Sequence, residues 1–177
     1  LDGAVWTTLN SGVDAFKYHP QRPAYHGIIE INTANTFNLD YNATTFSGID
    51  LYTVLLHECL HALGVATFIQ SDGSSLRGGS YYTRFDTFIH TADGRSLIER
   101  TDQCYALHYN TAISPSTFQI PCSNNSPSLV FKGKFASQLP LYTPRGFSFG
   151  TSICHIDTDC GATSVMTYSI KHSLARR

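Results

Sequence analysis

Apolar positions recur at helical spacing most clearly over residues 47–64. Tyr52, Leu55, Cys59 and Ala62 fall on one side of such a helix and predict its core face. Asp50, or Ser47 a turn earlier, can cap the start, and Gly64 stands where a left-handed stop belongs. Val5, Leu9 and Val13, four apart, predict a short helix over 5–17, closed by Pro20 and Pro23. Gly27-Ile28-Ile29-Glu30-Ile31-Asn32 reads as an apolar strand, with an Asn/Thr-rich polar run after it to residue 45. Beyond Gly64 the pattern changes: residues 70–150 hold five of the seven prolines and no convincing helix. A β-hairpin is predicted over 85–99 about the Asp93-Gly94 turn, and a tighter pair of strands over 128–136 about Gly133. The fold class that results is α+β. One domain over 1–177 is expected, a small twisted sheet with the 47–64 helix and a β- and loop-rich insertion at about 70–150.

Composition narrows the setting. At 177 residues and 42% apolar content there is enough chain for a core. A net charge of −1 gives no support for nucleic acid or a membrane surface as partner. No apolar run approaches the roughly 20 residues of a membrane span, and a monomer is expected. Five cysteines, a charged content of only 14% and many Ser, Thr, Asn and Tyr residues lean towards an oxidising, secreted setting. No signal-like segment opens the chain, so an exported form would have lost its leader. Sequons stand at Asn42-Ala43-Thr44 and Asn124-Asn125-Ser126. Cys104 and Cys122, flanking a Pro-containing loop, are a first disulfide candidate, and Cys154 with Cys160 a second. Cys59, on the expected core face, is left as a buried free thiol.

The chemistry lies on the other side of the helix. At about 100° per residue, His57 and His61 stand roughly 40° apart, one above the other, with Glu58 just beyond them. Imidazoles at i and i+4 can close on one zinc, and the displaced carboxylate can then hold a water as general base. The bland alternative is that such a motif arises by chance, its histidines capping a core or facing solvent. A catalytic zinc needs three protein ligands and a water. Three residues beyond Gly64 stands Thr67, a poor donor, so the third must come from elsewhere. His155, between Cys154 and Cys160 in a loop they could pin, is the best candidate. His19, His26, His90, His108 and His172 lack a comparable context and read as surface or core residues.

Eleven residues after His155 comes Ser164-Val165-Met166-Thr167-Tyr168. Together with His57-Glu58-Cys59-Leu60-His61-Ala62-Leu63-Gly64, this resembles the metzincin clan of zinc endopeptidases. In those enzymes the metal-binding helix ends at such a glycine and a methionine turn runs beneath the zinc. The Ser-x-Met-x-Tyr form is similar to that of astacins and serralysins. Most of the clan has its third histidine where this chain has Thr67. Leishmanolysin-like members delay it by a long insertion, and His155 follows His61 by 94 residues. Residues 49–69, 82–88 and 152–166 also resemble secreted peptidases of bacteroidete-type bacteria, with Tyr-x-Arg-x-Asp after the helix and Ser-x-x-His-x-Asp before the methionine.

The resemblance implies a metzincin-like catalytic domain, one catalytic zinc and a protein or peptide substrate. His57, His61 and His155 would be the ligands, Glu58 the base, Met166 an apolar floor under the imidazoles and Gly64 the turn out of the helix. Tyr168 would donate to the oxyanion. A substrate peptide would pair along the strand of Gly27, Ile28, Ile29, Glu30 and Ile31. Two alternatives stay open: a non-catalytic module of the same fold that has lost the metal, and a gluzincin-type peptidase with Glu99 as third ligand. Asp157 and Asp159 either orient His155, bind calcium or form a solvated acidic loop, and nothing in the sequence supports calcium further.

Overall fold

The structure, a computed structural model, describes residues 3–21, 25–40, 48–101, 106–135, 138–162 and 164–169. It is α+β, with two α-helices, three 3-10 turns and several small sheets among those residues. The chain divides into two compact units, one spanning Gly3–Gly64 with Ser169, the other Val65–Tyr168.

In the first unit, helix α1 (Ala4–Ser11) is shorter than the predicted 5–17. Gly12, at φ 70°, turns the chain out eight residues before Pro20 is reached, its N–H bonding the Thr8 carbonyl. Residues 27–32 belong to no strand, contrary to the sequence reading; Ile28, Ile29 and Ile31 are exposed. The ladder of this unit lies elsewhere, where β1 (Phe37–Asn38) pairs in parallel with β2 (Ile49–Asp50). Gly48, at φ 106°, makes that pairing possible. A Cβ there would meet the Thr36 carbonyl oxygen at 2.8 Å, the same oxygen that accepts from Ile49 N.

Helix α2 (Leu51–Ala62) follows directly. Asp50 caps it as predicted, accepting from Thr53 N at 3.2 Å and Thr53 Oγ1 at 2.5 Å. Leu63 is the last capping residue. Gly64, at φ 109°, then turns away with its N–H on the His61 carbonyl. The face assignment needs correction: Tyr52 and Cys59 are exposed, whereas Thr53 and His57 are buried. Of the predicted apolar stripe only Leu55 and Ala62 are half-buried, the most buried positions belong to polar groups, and Cys59 is an exposed thiol.

The second unit carries the core, with Leu97, Ile113, Phe118, Leu129, Leu141 and Ile153 almost wholly buried. Its sheets are β3 (Ile89–Thr91), β6 (Leu129–Phe131) and β7 (Leu139–Pro140) in antiparallel order, and separately β4 (Ile98–Arg100) against β5 (Leu107–Tyr109). The predicted hairpin about Asp93-Gly94 is present over 89–97, shorter than the expected 85–99: His90 bridges Ser96, Thr91 N donates to the Arg95 carbonyl and Leu97 N to the Ile89 carbonyl, each at 2.9 Å. Phe85–Phe88 is a 3-10 helix, since Thr83-x-x-Asp86 makes a capping box: Thr83 N donates to Asp86 Oδ2 at 2.8 Å and Asp86 N to Thr83 Oγ1 at 3.1 Å. Of the pair of strands predicted over 128–136 about Gly133, the first arm is Leu129–Phe131, and its antiparallel partner is Leu139–Pro140, beyond the predicted span; residue 136 lies outside the described residues.

The disulfide joins Cys122 to Cys160. Both expected pairings, Cys104 with Cys122 and Cys154 with Cys160, are thereby overturned, and Cys154 is a buried free thiol. Cys104, Ser47, Asn42 and His172 lie outside the described residues.

Candidate metal centre

On α2, four-residue spacing stacks His57 over His61 as expected. Their Nε2 atoms are 3.1 Å apart, with ring centroids at 4.7 Å and planes 84° apart. His57 is buried, and His61 and Glu58 are half-buried. Glu58 also lines a cavity of about 380 Å³ in the first unit, with Ile29, Ile31, Phe37, Val54 and Leu55 supplying apolar walls. Of the five residues expected along a substrate strand, Ile29, Glu30 and Ile31 reach this cavity, and Gly27 and Ile28 do not line it.

His155, in the second unit, is buried and its ring is oriented by its own loop. Nδ1 lies 2.9 Å from the Thr151 carbonyl. A carbonyl only accepts, so Nδ1 carries the proton and Nε2 the lone pair, the tautomer a metal ligand needs. Cys154 Sγ lies 3.3 Å from the same nitrogen and 3.3 Å from the Gly150 carbonyl. Burial pushes that thiol's pKa up to about 12, so it stays neutral beside the histidine. Two residues earlier, Ile153 sits at φ 58°, a conformation that a β-branched side chain rarely adopts, and its side chain is wholly buried.

The methionine segment runs beside this loop. Ile156 N donates to the Met166 carbonyl at 2.6 Å, and Met166 N to Ser164 Oγ at 3.0 Å. Met166 is buried, and Tyr168 is half-buried with its ring stacked on Tyr142. Burial raises the Tyr168 phenol's pKa, with Asp159 and Tyr142 adding to the effect.

The histidines His57, His61 and His155 form a group that could hold a metal ion, each offering one ring nitrogen within 4.8 Å of the others. Thr67 is buried and otherwise engaged, its Oγ1 accepting from Ile69 N and its hydroxyl bonding Asp86. Glu99 lies on β4, exposed, accepting from Asn110 Nδ2 at 2.7 Å, and belongs to no metal-capable group among the described residues. Asp157 Oδ1 accepts from Asp159 N at 2.9 Å and so caps the short 3-10 helix Thr158–Cys160. Asp157 also groups with Cys122 and Cys160, but those sulfurs are spent on the disulfide. Sequence reasoning missed Thr151 and Tyr142 as neighbours of the site, and placed Cys154 there as a disulfide partner where it is a free thiol. It also missed the Thr83-x-x-Asp86 capping box, whose signal was readable. Comparison with family models, curated proteins and solved structures finds no match to this chain.

Proposed function

We propose that this chain is a secreted zinc endopeptidase of metzincin type, hydrolysing peptide bonds of proteins. The observation that carries the reading is the three-histidine group. Its donor chemistry fits zinc. Two nitrogens held at about 2.0–2.1 Å by a tetrahedral zinc stand roughly 3.3 Å apart, and the His57–His61 pair at 3.1 Å matches that spacing. Three neutral imidazoles would leave a fourth position for water, the pattern of a catalytic site. Secretion is compatible with the disulfide, and no helix among the described residues is long and apolar enough to cross a membrane.

When bound, zinc would supply Lewis acidity, bringing the pKa of a water towards about 7 and polarising the scissile carbonyl. Glu58 then takes the water's proton and delivers it to the leaving amine. The Tyr168 phenol donates to the oxyanion that develops on the carbonyl. The cavity beside Glu58, which Ile29, Glu30 and Ile31 help to line, would receive an apolar substrate side chain.

Elemental analysis of the purified protein should find about one zinc per chain, and casein should be cleaved. Glu58→Ala should keep the zinc and lose at least about 100-fold in cleavage rate, the usual minimum for a missing general base. A chain without zinc, or a Glu58→Ala variant as active as the parent, refutes the reading and leaves a binding module.

A further inference from the structure

We infer that Tyr142 is a positioning residue for Tyr168, which rests on the endopeptidase reading above. The rings of Tyr142 and Tyr168 lie 3.7 Å apart at centroid and 9° from parallel. Near-parallel faces in contact restrict rotation of the Tyr168 ring about its χ1 and χ2. At the ring's far end, Thr158 hydrogen-bonds the phenol. A donor aimed at a developing oxyanion is useful only if its direction is set beforehand, since reorienting it during the reaction would cost what it contributes.

The Tyr142 backbone has a separate task. Its N–H donates to the His155 carbonyl at 2.8 Å, and its carbonyl accepts from Ile153 N at 2.8 Å. Those two bonds clamp the loop at the residue held at positive φ, and any residue but proline at position 142 can keep them. On the next layer, Ile156 bridges to Leu141 on one side and Thr167 on the other. The three pieces of chain therefore lie side by side, which lets the Tyr142 ring reach Tyr168. One residue thus serves the His155 loop through its main chain and the phenol through its ring. The two roles separate on substitution.

Tyr142→Leu removes the ring and retains both backbone bonds, so zinc content should be unchanged. With casein-derived fluorogenic peptides, kcat should fall about three- to tenfold with KM little altered, the range that loss of one aromatic pair allows. Tyr142→Phe, which keeps the ring, should match the parent. In a Tyr168→Phe background, Tyr142→Leu should cost nothing more. A readout free of zinc and turnover accompanies these: in ring-labelled metal-free protein, the Tyr168 resonances should move when the Tyr142 ring current is removed. Unmoved resonances, an unchanged kcat in Tyr142→Leu, or losses that add in the double variant overturn the positioning role. If the parent cleaves nothing, the enzymatic reading falls first, and the resonances still report whether the rings are paired.

Discussion

Thr67 and Asp86 tie the chain that follows α2 to the 3-10 helix at 85–88. Asp86 has no exposed surface, and its Oδ2 accepts from Phe68 N at 3.2 Å as well as from Thr83 N. Thr83 Oγ1 donates to the Ala66 carbonyl at 2.8 Å. Threonine and aspartate together therefore fix residues 66–68 against the capping box, which gives the Asp86 of the Tyr82-x-Arg84-x-Asp86 stretch a structural role. Asp86 Oδ1 is buried with no hydrogen-bond partner. Burial raises the Asp86 pKa above the ordinary 3.8, against the lowering effect of its bonds to Thr67, Thr83 and Phe68. The folded chain thus holds this proton more tightly than the unfolded one. Its contribution to stability is complete below pH 3.8 and is lost as pH rises through the folded value. Asp86→Asn, which does not titrate, should flatten that part of the stability profile. Urea midpoints of both proteins, measured at intervals from pH 3.5 upward, should show the parent falling relative to Asp86→Asn as pH rises if Asp86 is the group responsible. Parallel profiles would assign the slope to another acid, with Asp157 next in line because burial raises it too.

At the scale of elements, α2 was legible because its signals are local. Asp50, the His57–His61 spacing and Gly64 all act within one or two turns, and all three stand as read. Beyond the turn at Asp93-Gly94 and the strand at 129–131, the strands were not legible, for the opposite reason. They are two or three residues long, and β3 is completed by β6, about forty residues further on. Alternation over so short a run carries little information, and the partner decides the outcome. Cys59 was misplaced because periodicity assumes that apolar residues go inside, whereas in this helix the buried positions belong to Thr53 and His57. The cysteine pairing depended on loop paths that spacing does not encode. Since the cap is the local device that begins the histidine-bearing helix, its loss should be felt there. Asp50→Ala should lower stability by about 1 kcal/mol, and Asp50→Asn by much less, because an amide oxygen can still accept from Thr53 N. Chemical denaturation measures the two side by side; equal losses would mean that Asp50 acts through its charge or its Thr53 Oγ1 contact instead.

For the molecule as a whole, the most consequential tie outside regular structure is the Cys122–Cys160 disulfide. Its partners are 38 residues apart and 5.7 Å between Cα atoms. Closing a loop of that length lowers the entropy of the unfolded chain enough to stabilise the fold by roughly 3–4 kcal/mol. The bridge has a second effect, because Cys160 ends the short 3-10 helix Thr158–Cys160 that follows the His155 loop. From Ile153 to Cys160 this segment is held by backbone bonds from Tyr142, Pro140 and Met166, by the Asp157 cap, and at its end by the disulfide. Reduction leaves the backbone bonds in place and releases the end. The Cys122→Ser/Cys160→Ser variant should therefore unfold at a clearly lower urea midpoint yet still fold at neutral pH in the cold. If His155 ligates zinc, the same variant should also lose zinc to a competing chelator several-fold faster, because a freer loop presents the third imidazole less often. A lower midpoint with an unchanged rate of zinc loss would confine the bridge to stability. Unchanged behaviour in both measurements would mean that the backbone ladder alone holds this loop.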